Sequence, residues 1–232
     1  MEKRNQNMRE VLDSLPEVEI DIVGADLKLL KDFLLIQAKS ETRRLATSVY
    51  EKTKPWVMPE AASVSEKIVQ AIKFAAANNL NIRLRKDGEK QLFCVKTKRD
   101  ENKTGPDNRQ EFELEVTAEE RVVIESLLNA CGYELSAVRE KERTTFVISH
   151  SGQSFKVDID EYPAVGLKNE ASVKAYKVEV EGPDEVGVKN FAESIIQKSG
   201  AGGVMQKSTE AQFLKSQGYP KKKIRQLRFN YE

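Results

Sequence analysis

Gln153–Gly182 reads QSFKVDIDEYPAVGLKNEASVKAYKVEVEG, and two of its segments alternate strictly. In the first, Lys156, Asp158 and Asp160 take one side and Phe155, Val157 and Ile159 the other. In the second, Lys177, Glu179 and Glu181 oppose Tyr176, Val178 and Val180. A strand sends successive side chains to opposite faces, so each segment reads as a strand with one charged and one apolar face. Taken alone, such a strand lies with its charged face in water.

The same alternation recurs along the chain. Glu17, Glu19 and Asp21 alternate with Val18, Ile20 and Ile22, and Arg83 and Arg85 with Ile82 and Leu84. Lys96 and Lys98 share a register with Leu92 and Cys94, opposite Phe93 and Val95. Glu111, Glu113 and Glu115 oppose Phe112, Leu114 and Val116, while Lys141 and Arg143 lie opposite the register of Phe146 and Ile148. Between these strands, three-and-four spacing predicts helices over 25–38, from Ser63 or Ser65 to 77, from Thr117 to 130 and over 184–197. Ser63 with Glu66 and Thr117 with Glu120 have capping-box spacing. Asp87-Gly88 and Ser151-Gly152 are turn signals. The order of acidic strand, helix and basic strands occurs twice, which reads as two halves of one sheet.

Composition sets further limits. The 232 residues carry 38 lysines and arginines against 37 aspartates and glutamates, a net charge of +1. That balance argues against a dedicated duplex-DNA binder but leaves room for a local basic pocket that takes a small polyanion. Cys94 and Cys131 lack metal-site spacing and fit a reducing compartment, and His150, the one histidine, makes a histidine-rich zinc site untenable. No apolar run has transmembrane length and residues 1–10 lack a secretory leader, so a cytoplasmic protein without a membrane partner is expected. Residues 1–15 read as a lead-in, 16–198 as the sheet-and-helix domain, and 199–232 as a polar tail ending in KKKIRQLRFNYE. The tail reads as a solvated terminus, with an RNA or protein contact as the alternative.

Two architectures satisfy the alternation. An open sheet buries its apolar face under helices and leaves the charges in water. An eight-stranded antiparallel β-barrel, an α+β fold with helices packed outside, instead encloses the charged face as a polar tunnel. In the second, guanidinium and ammonium groups grip phosphates, and carboxylates hold Mg²⁺ or Mn²⁺ that bridges them and activates water. Phosphoryl transfer then needs only placement, charge neutralisation and an oriented nucleophile.

The ordered motifs resemble the CYTH family, or triphosphate tunnel metalloenzymes, which includes inorganic and thiamine triphosphatases and class IV adenylate cyclases. EVEID (Glu17–Asp21) resembles its E-x-E-x-K strand, IRLR (Ile82–Arg85) its arginine strand and VKTK (Val95–Lys98) its lysine strand. RQEFELE from Arg109, KER (Lys141–Arg143), VDIDEYPAVG and YKVEVEG resemble the remaining elements in the same order, over roughly residues 17–197. The resemblance implies metal ligands at Glu17, Glu19, Glu111, Glu113, Asp158, Glu179 and Glu181, with Mg²⁺ or Mn²⁺ as cofactor. It implies phosphate binding by Arg83, Arg85, Lys96, Lys98, Lys141, Arg143, Lys156 and Lys177. Catalytic work falls to Glu17, Glu19, Arg85, Lys96, Lys141 and Arg143.

The implied function is metal-dependent hydrolysis of an inorganic, thiamine or nucleoside triphosphate with release of orthophosphate. The alternatives are a class IV-type adenylate cyclase and an inactive nucleotide-, polyphosphate- or RNA-binding module. The sequence departs from the family pattern at Asp21, which stands where E-x-E-x-K has the lysine associated with phosphate binding and catalysis. Only another cation or a nearby basic side chain offsets a carboxylate there. Glu51 and Lys52 also replace a common aromatic residue and an expected aspartate, and the 54–79 region is longer than usual.

Overall fold

A computed structural model describes residues 15–55, 64–97, 106–165 and 174–229, leaving out the side chains of 15–17, 107 and 108. All but the last residue of the lead-in and the capping serine Ser63 therefore lie outside the described residues. The chain divides into two compact units.

The first unit draws on residues 45–97 and 109–139. Its strands are the larger part of β2 (Ser40–Lys52), β3 (Ile82–Asp87), β4 (Lys90–Lys96) and β5 (Asp107–Val116), each antiparallel to the next. Ile82, Leu84, Phe93, Val95, Phe112 and Val116 form one apolar face. 

The helices that cover this face are α2 (Glu66–Asn78) and α3 (Ala118–Ala130), while α1 (Leu27–Gln37) belongs to the second unit. Ile68, Ile72, Ala75, Ile124 and Leu128 are buried at the helix–sheet contact. Thr117 and Glu120 form the expected capping box at the start of α3, whereas α2 begins from Ser65 with no side-chain cap. In α3 Val122 and Val123 are exposed, and Ile124, Leu127 and Leu128 are the buried residues.

The second unit draws on residues 17–44 and 140–229. β1 (Leu15–Val23) pairs with β8 (Tyr176–Gly182), β8 with β7 (Gln153–Glu161), and β7 with the latter part of β6 (Tyr133–His150), all antiparallel. β6 is one long strand. The β6–β7 turn at Ser151-Gly152 takes φ of 50° and 77°, the left-handed pair that a two-residue hairpin requires. Val18, Ile20, Ile22, Val157, Ile159, Val178 and Val180 face α1 and α4 (Glu185–Ser199), which contribute Leu30, Leu34, Val188, Phe191 and Ile195. Asp26 caps α1 and Asp184 caps α4 through their carboxylates.

The expected eight-stranded antiparallel β-barrel is corrected. The architecture is α+β with a ten-stranded antiparallel sheet among the described residues, and each of two units has its own helices and apolar core. Alternation with period two assigns side chains to faces; it does not set strand number or curvature, so it could not choose the barrel. The two additional strands, β9 (Val204–Gln206) and β10 (Gln226–Leu227), come from the C-terminal segment, where no alternation marks them.

That segment is also more than a solvated tail. With α5 (Glu210–Ser216) and α6 (Lys221–Arg225), it buries Phe213, Leu214, Tyr219, Ile224 and Leu227 against Tyr162, Val165 and Ala175. Tyr219 donates its hydroxyl to the Pro163 carbonyl at 2.9 Å and accepts from the Ala175 amide at 3.1 Å. Lys221, Lys222, Lys223 and Arg225 remain exposed. No helix among the described residues is long and apolar enough to cross a membrane. Phe213→Ala is expected to cost about 3–5 kcal/mol in a denaturant titration, as for other buried aromatics. A change within about 0.5 kcal/mol would instead mark a solvated segment.

Candidate functional site

Strand pairing in the second unit gathers the charged faces. Glu19 stands opposite Glu181 and Asp21 opposite Glu179 across β1 and β8. Lys156 then pairs with Glu181, Asp158 with Glu179 and Asp160 with Lys177 across β8 and β7. Arg143 pairs with Asp160 across β7 and β6. The opposite faces are buried under helices, so apolar packing holds the charged residues in this register. Six carboxylates (Glu19, Asp21, Asp158, Asp160, Glu179 and Glu181) thus share a surface with four basic groups (Lys141, Arg143, Lys156 and Lys177).

The pairs are close. Arg143 Nε and Nη2 donate to the two oxygens of Asp160 at 2.6 and 2.8 Å, and Nη1 to Asp158 at 2.5 Å. Lys141 reaches Asp160 at 2.6 Å, and Thr145 donates to Asp158 at 2.6 Å. Burial disfavours the charged form of Arg143, but Asp160, Asp158 and Glu179 outweigh it and raise its pKa. Burial likewise works against the Asp160 carboxylate, yet Arg143 and Lys141 hold its pKa below the ordinary value. Lys156 bridges Glu181 at 2.5 Å and Asp158 at 3.3 Å.

Asp21, the departure from the family pattern, is buried beside the required base. Lys177 Nζ lies 2.8 Å from Asp21 Oδ1 and 2.7 Å from Glu179 Oε2. Ser208 donates to Asp21 Oδ2 from its amide at 3.1 Å and its hydroxyl at 2.8 Å. Burial raises the Asp21 pKa, Lys177 opposes this, and Glu179 adds to it.

Glu19, Glu179 and Glu181 each place a carboxylate oxygen so that the three lie within 4.8 Å of one another. Three hard oxygen donors at this separation fit Mg²⁺ or Mn²⁺. The charge balance fits as well. Burial pushes the Glu181 carboxyl up to about 7; Lys156 opposes the rise, and Glu179 and Asp158 reinforce it. Carboxylates so crowded gain from an added cation. Asp158, predicted as a further ligand, has its oxygens engaged by Arg143, Lys156 and Thr145.

The first unit holds the remaining predicted residues except Glu17. Arg85 lies 3.5 Å from Glu113 and 3.9 Å from Glu111, and Lys96 lies 3.7 Å from Glu111. Arg83 is half-buried on the same face and makes no ion pair among the described residues. Cys94, Glu111 and Glu113 form a second close group. Burial pushes the Cys94 thiol up to about 12, with Arg85 opposing and Glu113 and Glu111 reinforcing, so it stays protonated beside Glu113. The backbone of Glu17 lies in β1, but its side chain and all of Lys98 are outside the description.

Some participants escaped the sequence reading. Ser208 and Glu210 sit in the C-terminal segment; Glu210 lies 3.3 Å from Lys141 and accepts from the Tyr162 hydroxyl at 3.1 Å. No local periodicity marks either residue. Asp160 shared the charged face in the sequence but was given no site role, although Arg143 and Lys141 converge on it. A separate surface concavity of about 630 Å³, lined by Asp26, Leu27, Lys31, Leu35 and Tyr176 among others, contains none of the predicted site residues.

Comparison with known proteins fits this site. Residues 71–214 match the CYTH domain, and the chain belongs to that family. No curated protein matches the chain significantly. A Hippeastrum protein assigned as an adenylyl cyclase, and described as revealing a dominant triphosphatase activity, is similar in structure. Its TM-score is 0.56 at 15% identity, over 87% of this chain and 95% of that one. A Pyrococcus horikoshii OT3 protein gives 0.52 at 13% identity, over 86% and 98%. A chain in the Schizosaccharomyces pombe Mediator head module gives 0.50 at 10% identity, over 82% and 98%. At these identities the likenesses establish the fold alone.

The Glu181 carboxyl has a pH consequence. Its folded pKa of about 7 exceeds the ordinary value of 4.5, so the folded state holds this proton more tightly than the unfolded chain. The resulting stability is complete below about pH 4.5 and is lost as pH rises through about 7. In metal-free buffer, thermal melts between pH 5 and 8 are expected to fall with rising pH by on the order of 2–3 kcal/mol. Glu181→Gln is expected to remove most of that slope; an unchanged slope contradicts the assignment.

Proposed function

We propose that the chain is a divalent-metal-dependent phosphohydrolase acting on a triphosphate-containing substrate (inorganic, thiamine or nucleoside triphosphate) and releasing orthophosphate. The observation that carries this reading is the Glu19, Glu179 and Glu181 group, three carboxylates within 4.8 Å beside basic residues on paired strands. Family membership and the triphosphatase activity described for the Hippeastrum protein support it.

In this reading Glu19, Glu179 and Glu181 hold Mg²⁺ or Mn²⁺, which when bound neutralises phosphate oxygens and acidifies water. The phosphate-binding roles of Arg83, Arg85 and Lys96, on the paired strands β3 and β4 of the first unit, stay part of this proposal. Arg143 is a positioning group: with its guanidinium bonded to Asp158 and Asp160, it fixes β6 beside β7. Lys156 steadies Glu181 in the same way. The remaining predicted roles, of Glu17, Lys98, Glu111 and Glu113 in particular, stay part of this proposal. So does a reducing, cytoplasmic setting, supported by Cys94 and Cys131 as buried free thiols.

A second reading, a module that binds polyphosphate without turning it over, is favoured by one observation. Asp21 replaces a basic residue, and the nearby Lys177 is committed to carboxylates. Orthophosphate release from tripolyphosphate, thiamine triphosphate and ATP, each with Mg²⁺ and with Mn²⁺, separates the two. Turnover is expected, with a loss of about 100-fold or more in Glu179→Ala and about 10-fold or more in Arg85→Ala. Full rates in both variants contradict the site. Cyclic AMP from ATP would indicate a cyclase, and binding without any product the second reading.

A further inference from the structure

Glu19 and Asp21 face Glu181 and Glu179 in direct register, so four carboxylates stand at the corners of one cross-strand square. Like charges placed opposite one another repel, and buried charges require a counter-charge at hydrogen-bond distance. Each side of the square has an ammonium beside it: on one side Lys156, its side chain 34% exposed, reaches Glu181 at 2.5 Å. On the other, Lys177, on the same face of β8, bridges Asp21 and Glu179 at 2.8 and 2.7 Å. Ser208 ties the other oxygen of Asp21 through two hydrogen bonds.

We infer that the Lys177 ammonium is a built-in substitute for a metal ion, so that the square admits a single divalent cation, held on its Glu19–Glu181 side with Glu179 shared. The inference rests on reading Glu19, Glu179 and Glu181 as the metal ligands. Lys177 is only 4% exposed, whereas the Lys156 side chain is 34% exposed, so an incoming ion turns Lys156 into water more readily than it displaces Lys177. The cross-strand neighbour of Lys177 is Asp160, whose oxygens already accept from Arg143 and Lys141. Displacement would therefore leave a buried ammonium short of a counter-charge. The departure at Asp21 then acquires a purpose. The carboxylate on β1 and the lysine on β8 form a charge-complementary pair, and Ser208 of the C-terminal segment locks it.

Manganese titration of the metal-free full chain, followed by electron paramagnetic resonance of free Mn²⁺ and by calorimetry, tests the stoichiometry. One Mn²⁺ per chain is expected for the wild type. Lys177→Gln is expected to take a second Mn²⁺ about tenfold more tightly than any further ion binds the wild type, because two carboxylates regain a vacancy for charge. Asp21→Asn with Lys177→Gln, which removes both charges, is expected to return to one and serves if the single variant fails to fold. Two equivalent ions on the wild type, a folded Lys177→Gln that still binds one, or a double variant that binds two overturns the inference. Absence of Mn²⁺ binding by the folded wild type overturns the metal reading itself, and the inference falls with it.

Discussion

Carboxylates set opposite carboxylates across β1 and β8 are the constraint around which the second unit is arranged. Glu19 against Glu181 and Asp21 against Glu179 would drive two ordinary strands apart or out of register. They stay because the reverse faces of the same strands are apolar and packed under α1 and α4. A slip of one residue would turn Val178 and Val180 toward the charges and Glu179 toward the helices. Hydrophobic packing thus sets the register, and the register sets the charge geometry.

What the packing brings together must then be neutralised locally, since desolvating an ion costs several kcal/mol unless partners are near. Arg143 answers Asp158 and Asp160, Lys156 answers Glu181, and Lys177 answers Asp21 and Glu179. Among the described residues, six strand-borne carboxylates of this surface lie beside four basic groups. Burial raises the Glu181 pKa, and Glu179 and Asp158 reinforce the rise against Lys156. A site left somewhat too acidic favours a cation over an additional anion, and a phosphate chain would enter with its metal. The C-terminal segment belongs to this arrangement because Ser208 bonds Asp21 and Glu210 meets Lys141.

Much of this could be read from residue order. The alternation in Phe155–Asp160, Tyr176–Glu181 and Val18–Ile22 identified both faces of β7, β8 and β1, because period two is a local property of extended chain. Thr117 with Glu120 marked the start of α3 for the same local reason. Strand number and the division into two units depend on contacts between distant segments, and no spacing encodes them. The fate of Asp21 is the clearest instance. In sequence it is an acidic residue where a base was expected, and its partner Lys177 lies on a strand more than 150 residues later. Ser208 was hidden further still, in a segment whose burial depends on Phe213, Tyr219 and Ile224 rather than on periodicity.

The account's central claim is that the carboxylates facing one another on β1 and β8 form a cation site. A crystal structure of the protein soaked with Mn²⁺ and tripolyphosphate, with anomalous scattering recorded at the manganese edge, tests it most directly. An anomalous peak coordinated by Glu19, Glu179 and Glu181, with Lys177 still between Asp21 and Glu179, is the result the account predicts. Manganese bound elsewhere, with those carboxylates uncoordinated, would contradict it.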